Sequence, residues 1–288
     1  AMPPPRVVML PDERALASVK SADFARILDP ALKYDALEVT IVGDIDEASA
    51  VQAVAKTLGA LPPRQWRDTR RAGAPTIRYP APSAAPVLAT HDGSPEKATV
   101  LATWPLFVWT PQKVQEGRTL NLLAAIVQDE AIDDIRQRLG KAYSPQVSVE
   151  LDHGGDQGAL SVSIDTSPDA TRIVAGELRK IALRLADGDI TPAMLERARQ
   201  PVLDNGATRE ISNPYWVKML DGSWAHPDQI AAAESWQTDY ESVTLDEIKA
   251  EAKRWLSPEP LMVIAEPSAV AMNGVKPHTR PHGSASKG

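Results

Sequence analysis

The sequence predicts an α+β protein made of tandem-repeat α/β units, each an antiparallel-rich sheet with helices packed on one face. A helical stripe of apolar residues at 120–139 is followed by two segments, 147–151 and 160–164, in which apolar and polar residues alternate. The order helix, proline, strand and acidic turn also occurs twice, at 24–44 and at 252–267. Internal similarity of this kind is typical of repeated copies of one domain.

The first 61 residues contain only part of such a unit. Residues 12–29 have a loose helical period that should end at Pro30, because proline cannot continue the hydrogen-bond ladder of a helix. Alternating apolar residues at 37–42 predict a strand, and residues 51–58 predict an amphipathic helix after an acidic glycine turn. These elements are too few for a whole unit. We therefore expect residues 1–61 to be the tail end of a preceding domain.

A proline-rich stretch separates this tail from the second unit. Residues 62–86 contain six prolines and have no sustained apolar period, which predicts an interdomain linker. The linker also carries a basic cluster of Arg64, Arg67, Arg70 and Arg71. We favour a solvated connector, and the alternative is that this basic cluster docks against an acidic neighbouring domain. Residues 87–269 form the second unit, and residues 270–288 form a tail that we expect to be disordered.

The second unit opens with predicted strands at 87–90 and 98–104. The long helix at 120–139 follows, and Gly140 should end it because glycine adopts the left-handed conformation that terminates helices. The two alternating segments beyond Gly140 predict a β-hairpin.

Three further helices are predicted, beginning at Ser167-Pro168, Thr191-Pro192 and Thr244. Gly188 should end the first helix, and Pro201 should kink or stop the second. Glu247 completes a capping box on the third helix, which leads to a strand at 261–264.

Four aromatic side chains fall between the second and third of these helices: Tyr215, Trp216, Trp224 and Trp236. A surface on which a ligand stacks is one interpretation. We favour core packing between helices, because indole rings bury a large apolar area.

The end of the long helix holds the candidate functional residues. Arg136 lies in its last turn and Tyr143 follows seven positions later, so that both side chains could face one cleft. Residues Ile135, Arg136, Gly140, Tyr143 and Ser144 resemble the pattern L-R-x-x-x-G-x-x-Y-S of the pitrilysin or insulinase family of zinc peptidases. The resemblance implies that Arg136 and Tyr143 hold the substrate across a cavity from the metal. The alternative to this resemblance is a purely structural role, in which Arg136 caps its helix and Tyr143 packs under the hairpin.

The zinc motif of that family, H-x-x-E-H, does not occur in this chain. The five histidines are His91, His153, His226, His278 and His282. Only the last two have the required separation, and they enclose Thr279-Arg280-Pro281, a sequence that does not favour a helix. We therefore expect no metal ligand in this chain, and the resemblance implies that zinc is bound by an N-terminal half or a partner subunit.

Composition excludes several classes of function. A formal net charge of -7 argues against nucleic acid, because a phosphate-binding surface needs clustered lysine and arginine. No apolar run is long enough to predict a membrane span, and the absence of cysteine excludes thiol catalysis. Localisation is not encoded in these residues; we expect the periplasm, as for bacterial relatives of similar layout, with the cytoplasm as the alternative.

Together these observations predict the C-terminal, substrate-binding half of a zinc-dependent endopeptidase, inactive alone. Its partners would be a peptide or unfolded protein substrate and the catalytic half or subunit. One alternative is a non-catalytic partner or scaffold subunit of the same fold. Another is a stand-alone module that binds peptides at an exposed sheet edge.

Overall fold

The computed structural model describes residues 13–63, 78–82, 85–137, 145–151, 156–209, 211–224 and 226–272. Within these ranges the helices are α1 (Glu13–Ser18), α2 (Ser21–Tyr34), α3 (Glu47–Lys56), α4 (Val114–Ala131), α5 (Thr171–Ala186), α6 (Pro192–Arg209), α7 (Asn213–Leu220), α8 (Asp228–Glu234), α9 (Trp236–Ser242), α10 (Leu245–Leu256) and α11 (Ala269–Met272). The strands are β1 (Val87–His91), β2 (Ala98–Val108), β3 (Gln146–Glu150), β4 (Gln157–Thr166) and β5 (Leu261–Pro267).

The chain divides into two compact units. The first comprises residues 1–77 and 203–237, and the second comprises residues 78–202 and 238–288. The sheet belongs wholly to the second unit. The sequence boundaries at residues 61, 86 and 269 stay predictions.

The sheet has the strand order β1-β5-β2-β4-β3. Strand β1 pairs with β5 in parallel, and the other pairs are antiparallel. Helices α4, α5 and α10 contact one another and the strands, which makes one helical layer against the sheet. The predicted α+β class with an antiparallel-rich sheet is thus confirmed.

The core lies between the sheet and this helical layer. Val100, Ala102 and Trp104 of β2 are at most 2% exposed, because alternate side chains of a strand face the same side. The apolar stripe of α5 is buried with them: Val174, Leu178, Ile181 and Leu185. Burying such side chains contributes about 1.5–3 kcal/mol each, so this layer dominates the stability of the unit.

Most local predictions for the second unit are confirmed. The hairpin forms between β3 and β4, with Val147 opposite Val162 and Val149 opposite Leu160. Gly188, which follows α5, has φ of 92°, the left-handed conformation expected at a helix end. Thr244 and Glu247 make both hydrogen bonds of the capping box at α10.

Several predictions for helices and strands are wrong. Residues 37–42 have no regular structure, because in the described part of the chain no strand pairs with them. Pro30 lies inside α2, so the predicted end of this helix there is wrong. Pro201 lies inside α6 and does not stop it, and the predicted kink there stays a prediction. Both prolines are exposed, so water can bond the carbonyl groups that each leaves unpaired, and the helices continue. The proposed repeat therefore lacks its strand in residues 24–44.

The aromatic residues after α6 behave differently from one another. Trp236 is buried, as core packing predicts. Tyr215 and Trp216 are half-buried on α7 and pack edge-on against each other, with ring centroids 5.3 Å apart. Trp224 is 80% exposed, so its assignment to the core is wrong. Trp224 lies in the turn after α7, and helix α7 itself has no buried residue.

Candidate functional site

Arg136 lies in a π-helical segment, Ile132–Gln137, that directly follows α4. The predicted end of this helix at Gly140 falls in residues 138–144, which lie outside the described part of the chain, as does Tyr143. The backbone of Arg136 is described and its side chain is not. The pairing of Arg136 with Tyr143 therefore stays a prediction.

The π segment (Ile132–Gln137) interrupts the regular α-helical period directly after α4. A π-helix makes i to i+5 hydrogen bonds and holds more residues per turn than an α-helix, and such segments occur frequently at functional sites. Ile135 within it is completely buried. The sequence is consistent with a larger number of residues per turn. Its apolar stripe runs in steps of four from Leu123 to Leu139, whereas an α-helix repeats every 3.6 residues.

An arginine on α5 holds the π segment against the neighbouring helices. Arg184 Nη2 donates to Glu130 Oε2 at 2.7 Å and to Asp134 Oδ2 at 2.9 Å. Its Nη1 donates to Asp189 Oδ2 at 3.1 Å. The side chains of Glu130 and Asp134 are each only 14% exposed, so these ion pairs are poorly screened by solvent.

The pKa of Arg184 reflects this environment. Burial is the largest influence and lowers the pKa, but hydrogen bonds to Glu130 and Asp189 and the nearby carboxylate charges raise it above its ordinary value. The guanidinium is therefore a permanent cation between α4, α5 and the π segment. A second arginine extends the network, because Arg197 Nη2 lies 3.6 Å from Glu130 Oε1. Its Nε also donates to Asp129 Oδ2 at 2.7 Å.

A glutamine on α4 holds the chain on the other side of residues 138–144. Gln128 Nε2 donates to the carbonyl oxygen of Pro145 at 2.5 Å, and its Oε1 accepts from the Val147 amide at 2.8 Å. This side-chain amide thus bonds two backbone groups at the start of β3. Sequence reasoning missed both Gln128 and Arg184, because their partners on α4, on the π segment and at the start of β3 lie 17 to 54 residues away along the chain.

The described residues contain no group of three or more His, Cys, Asp or Glu side chains that could hold a metal ion. In the same part of the chain, no helix is both long and apolar enough to cross a bilayer. The part of the chain that the structure describes therefore does not offer the ligand set of the zinc ion that the resemblance implies.

The described residues of the second unit form an α+β domain, and the sequence lacks the zinc motif H-x-x-E-H. Residues 31–202 match the family model described as the Peptidase M16 inactive domain, and the chain belongs to this family. The match includes Arg136 and Tyr143. In this family zinc belongs to the catalytic half, and the domain that residues 31–202 match is described as inactive.

Individual relatives are distant. The chain is 23% identical over 258 residues to the chloroplastic stromal processing peptidase of Arabidopsis thaliana, covering 70% of this chain and 20% of that protein. Its fold is similar to a peptidase M16 inactive domain from Pseudomonas fluorescens, with a TM-score of 0.67 at 15% identity over 89% of this chain and 60% of that one.

The fold is also similar to the ferredoxin protease FusC, whose structure is a complex of a mutant enzyme with Arabidopsis ferredoxin. The TM-score is 0.65 at 16% identity, over 90% of this chain and 28% of that one. At these identities the structural likeness shows the fold alone. The chain spans about a fifth of the length of the stromal processing peptidase that it matches.

Proposed function

We propose that this chain is the substrate-binding half of a zinc-dependent endopeptidase of the pitrilysin or insulinase type. Arg136 and Tyr143 would contribute to the cleft opposite the metal. The observation that carries the proposal is the family match over residues 31–202, which includes both side chains in a sequence without the zinc motif. Hydrolysis then needs an N-terminal half or a separate catalytic subunit.

The two residues would have different roles. The Tyr143 hydroxyl would donate a hydrogen bond to the scissile carbonyl oxygen as negative charge develops there. The Arg136 guanidinium would bind a nearby backbone carbonyl of the substrate. The substrate would be a peptide or an unfolded protein. A relative named as a processing peptidase and a fold neighbour, a ferredoxin protease solved in complex with ferredoxin, support this class.

We propose the following division of the chain. Residues 1–61 end a preceding peptidase-like domain, and residues 62–86 are a linker. Residues 87–269 are the C-terminal peptidase-like domain, and residues 270–288 are a tail.

Kinetics of the full assembly test the roles of Arg136 and Tyr143. We expect Tyr143→Phe to lower kcat for a fluorogenic peptide by about 100- to 1000-fold, the usual cost of removing one oxyanion donor. Arg136→Gln should mainly raise KM. Arg172→Gln, at an exposed position of α5, is the control and should leave both constants unchanged. The chain without its catalytic half is the blank, and we expect no chelator-sensitive cleavage from it.

Turnover that is unchanged in Tyr143→Phe would favour the alternative, a scaffold subunit of the same fold. Stoichiometric zinc in the isolated chain, or cleavage by it, would contradict the proposal directly.

A stand-alone module that binds peptides at a sheet edge receives less support. Strand β3 lies at one edge of the sheet, but Gln128 already bonds the Val147 amide and the Pro145 carbonyl there. A side chain that occupies edge groups discourages the addition of another strand.

A further inference from the structure

The chain passes between its two compact units inside two helices. The first unit includes residues 203–237, and the residues on either side of this range belong to the second unit. The chain therefore leaves the second unit within α6 (Pro192–Arg209) and returns to it within α9 (Trp236–Ser242). How easily these two passages bend depends on their helical hydrogen bonds and on the contacts that hold them.

Arg199 of α6 ties the two passages together on the side of the second unit. Its Nε donates to the Tyr240 carbonyl oxygen at 3.0 Å, and its Nη2 donates to the Val243 carbonyl oxygen. These carbonyl groups lie at the end of α9, where a helix cannot bond its own last carbonyl groups and a cation is favoured. The Arg199 side chain is 13% exposed, so water competes little for these bonds.

Helix α4 holds the same end of α9. Gln115 Nε2 donates to the Asp239 carbonyl oxygen at 3.1 Å, and Asn121 Nδ2 donates to the Tyr240 hydroxyl oxygen at 3.1 Å. Leu123 of α4 is fully buried in the core of the second unit. The end of α9 is thereby fixed to this core.

On the side of the first unit, α6 and α9 are held together by packing. Gly206 of α6 is buried, and a Cβ atom placed on it would overlap the Trp236 ring. Trp236 is the first residue of α9 and is 8% exposed. Only glycine leaves room for so close an approach of the indole. The two passages are thus in contact a second time, beyond the boundary of the second unit.

The two ties enclose two short stretches of backbone, residues 200–205 of α6 and residues 237–239 of α9. Pro201 lies in the first stretch. Proline has no amide hydrogen, and its ring disfavours the hydrogen bond to the carbonyl group four residues earlier, so one bond of the helical ladder is missing there. The second stretch is shorter than one helical turn. Both stretches therefore resist bending less than a long regular helix does.

We propose that residues 200–205 and 237–239 form a hinge. Pro201 is the point at which α6 bends, and Arg199 is the clamp that keeps the two passages fixed to the second unit while the first unit moves. Hinges are generally a few residues that absorb a change of backbone angles between two fixed ends. This hinge does not depend on the proposed peptidase function, because it involves neither zinc nor substrate.

Distances between two spin labels in the full chain test the hinge. The chain contains no cysteine, so Gln52→Cys in α3 and Arg172→Cys in α5 place one label on each unit, at exposed positions. Arg172→Cys with Lys253→Cys places both labels on the second unit and gives the reference width for one rigid body. We expect the distance distribution between the units to be wider than this reference. Pro201→Ala should narrow it toward the reference, because it restores the missing hydrogen bond.

Each variant has a matched control. Pro30→Ala also replaces a proline inside a helix, but within the first unit, and should leave the width unchanged. Arg199→Gln, and Arg199→Lys as a milder change that keeps the charge, should widen the distribution. Arg179→Gln removes an arginine of α5 that pairs with Glu259 within the second unit and should not. Circular dichroism checks that each labelled variant is folded.

The hinge is overturned if the distribution between the units is as narrow as the reference, or if Pro201→Ala leaves its width unchanged. Equal narrowing by Pro30→Ala would also overturn it, because the cause would then be helix stability in general. If both Arg199 variants behave like Arg179→Gln, Arg199 is not the clamp. Neither cleavage nor zinc enters these measurements, so a failure of the hinge and a failure of the proposed function are distinguishable.

Discussion

Glu251 on α10 is a carboxylate in a setting that disfavours its charge. Its side chain is 16% exposed, and burial is the main cause that raises its pKa above the ordinary value of 4.5. The nearby charge of Glu116 raises the pKa further, whereas the hydrogen bond from Trp255 Nε1, at 2.6 Å, lowers it. The net result is a folded state that holds the Glu251 proton more tightly than the unfolded chain does.

This environment predicts a pH-dependent gain in stability for Glu251→Gln. The raised pKa contributes stability that is fully present below the unfolded value near 4.5 and is lost as pH rises through the folded value. Glutamine does not titrate and still accepts from Trp255. The variant should therefore gain stability relative to the parent as pH increases from about 4 to neutrality, in urea unfolding at constant salt.

Glu177→Gln controls for the removal of one negative charge, because Glu177 pairs with Lys180 on the surface of α5. The free energies of unfolding of Glu251→Gln and of the parent could instead differ by an amount that is constant with pH. That result would show that the charge of Glu251 does not destabilise the protein.

At the scale of single residues, the sequence predicts those contacts whose two partners are close together along the chain. Thr244 and Glu247 are three positions apart, and their capping box was readable from spacing alone. The left-handed Gly188 after α5 was equally local. Gln128 and Arg184 were not predictable, because the fold brings their partners from other elements.

At the scale of elements, the β3–β4 hairpin depends on a close backbone approach at Gly158. A Cβ atom placed on Gly158 would lie 2.7 Å from the Glu150 carbonyl oxygen and 3.1 Å from the Phe107 carbonyl oxygen. Both neighbours are backbone atoms of the adjoining strands and cannot rotate away. The glycine thus lets three strands converge where the register of β2 against β4 becomes irregular, between Pro105 and Val108.

Gly158→Ala should destabilise the protein by about 1–3 kcal/mol, since the added methyl group forces the backbone to shift. Gly176→Ala is the matched control. Gly176 lies in α5 with no neighbouring atom within 4 Å of the added Cβ, so the change should stabilise the helix by about 0.5–1 kcal/mol. Urea unfolding of the two variants measures both effects. Equal stabilities would refute the steric account of Gly158.

Elements were predicted well where local pattern and tertiary packing agree. Strands β2, β4 and β5 and helix α5 have apolar periods that match their buried faces. Residues 37–42 have the same alternating pattern but no strand to pair with in the described chain, because a strand exists only with a partner. The sequence does not predict the π segment, because a step of four in the apolar stripe is also an ordinary spacing on an α-helix.

At the scale of the whole molecule, apolar exposure is unevenly divided between the two units. The first unit exposes many large apolar side chains, among them Leu16, Phe24, Leu32, Leu37, Val39, Ile41, Val51 and Leu61. It also contains an apolar cavity of about 570 Å³, lined by residues that include Leu37, Leu58 and Trp224. Large exposed apolar patches mark interaction sites, which agrees with the proposal that residues 1–61 end a preceding domain.

A triple variant tests this proposal: Leu37→Ser, Val39→Ser and Ile41→Ser together. These side chains are 41–48% exposed, so their replacement should change the stability of the chain little. If the three residues instead pack in the sheet of the preceding domain, the variant should bind a separately produced catalytic half at least about tenfold more weakly, because each buried side chain contributes about 1.5–3 kcal/mol. Titration calorimetry measures the affinity.

Ile173→Ser is the control, because Ile173 is 51% exposed on α5 of the second unit and should have no role in this association. If the triple variant and the control bind the catalytic half as tightly as the parent chain does, residues 37–42 do not belong to the preceding domain. If only the triple variant binds weakly, the alternating pattern of these residues is that of a strand whose partner lies in the catalytic half.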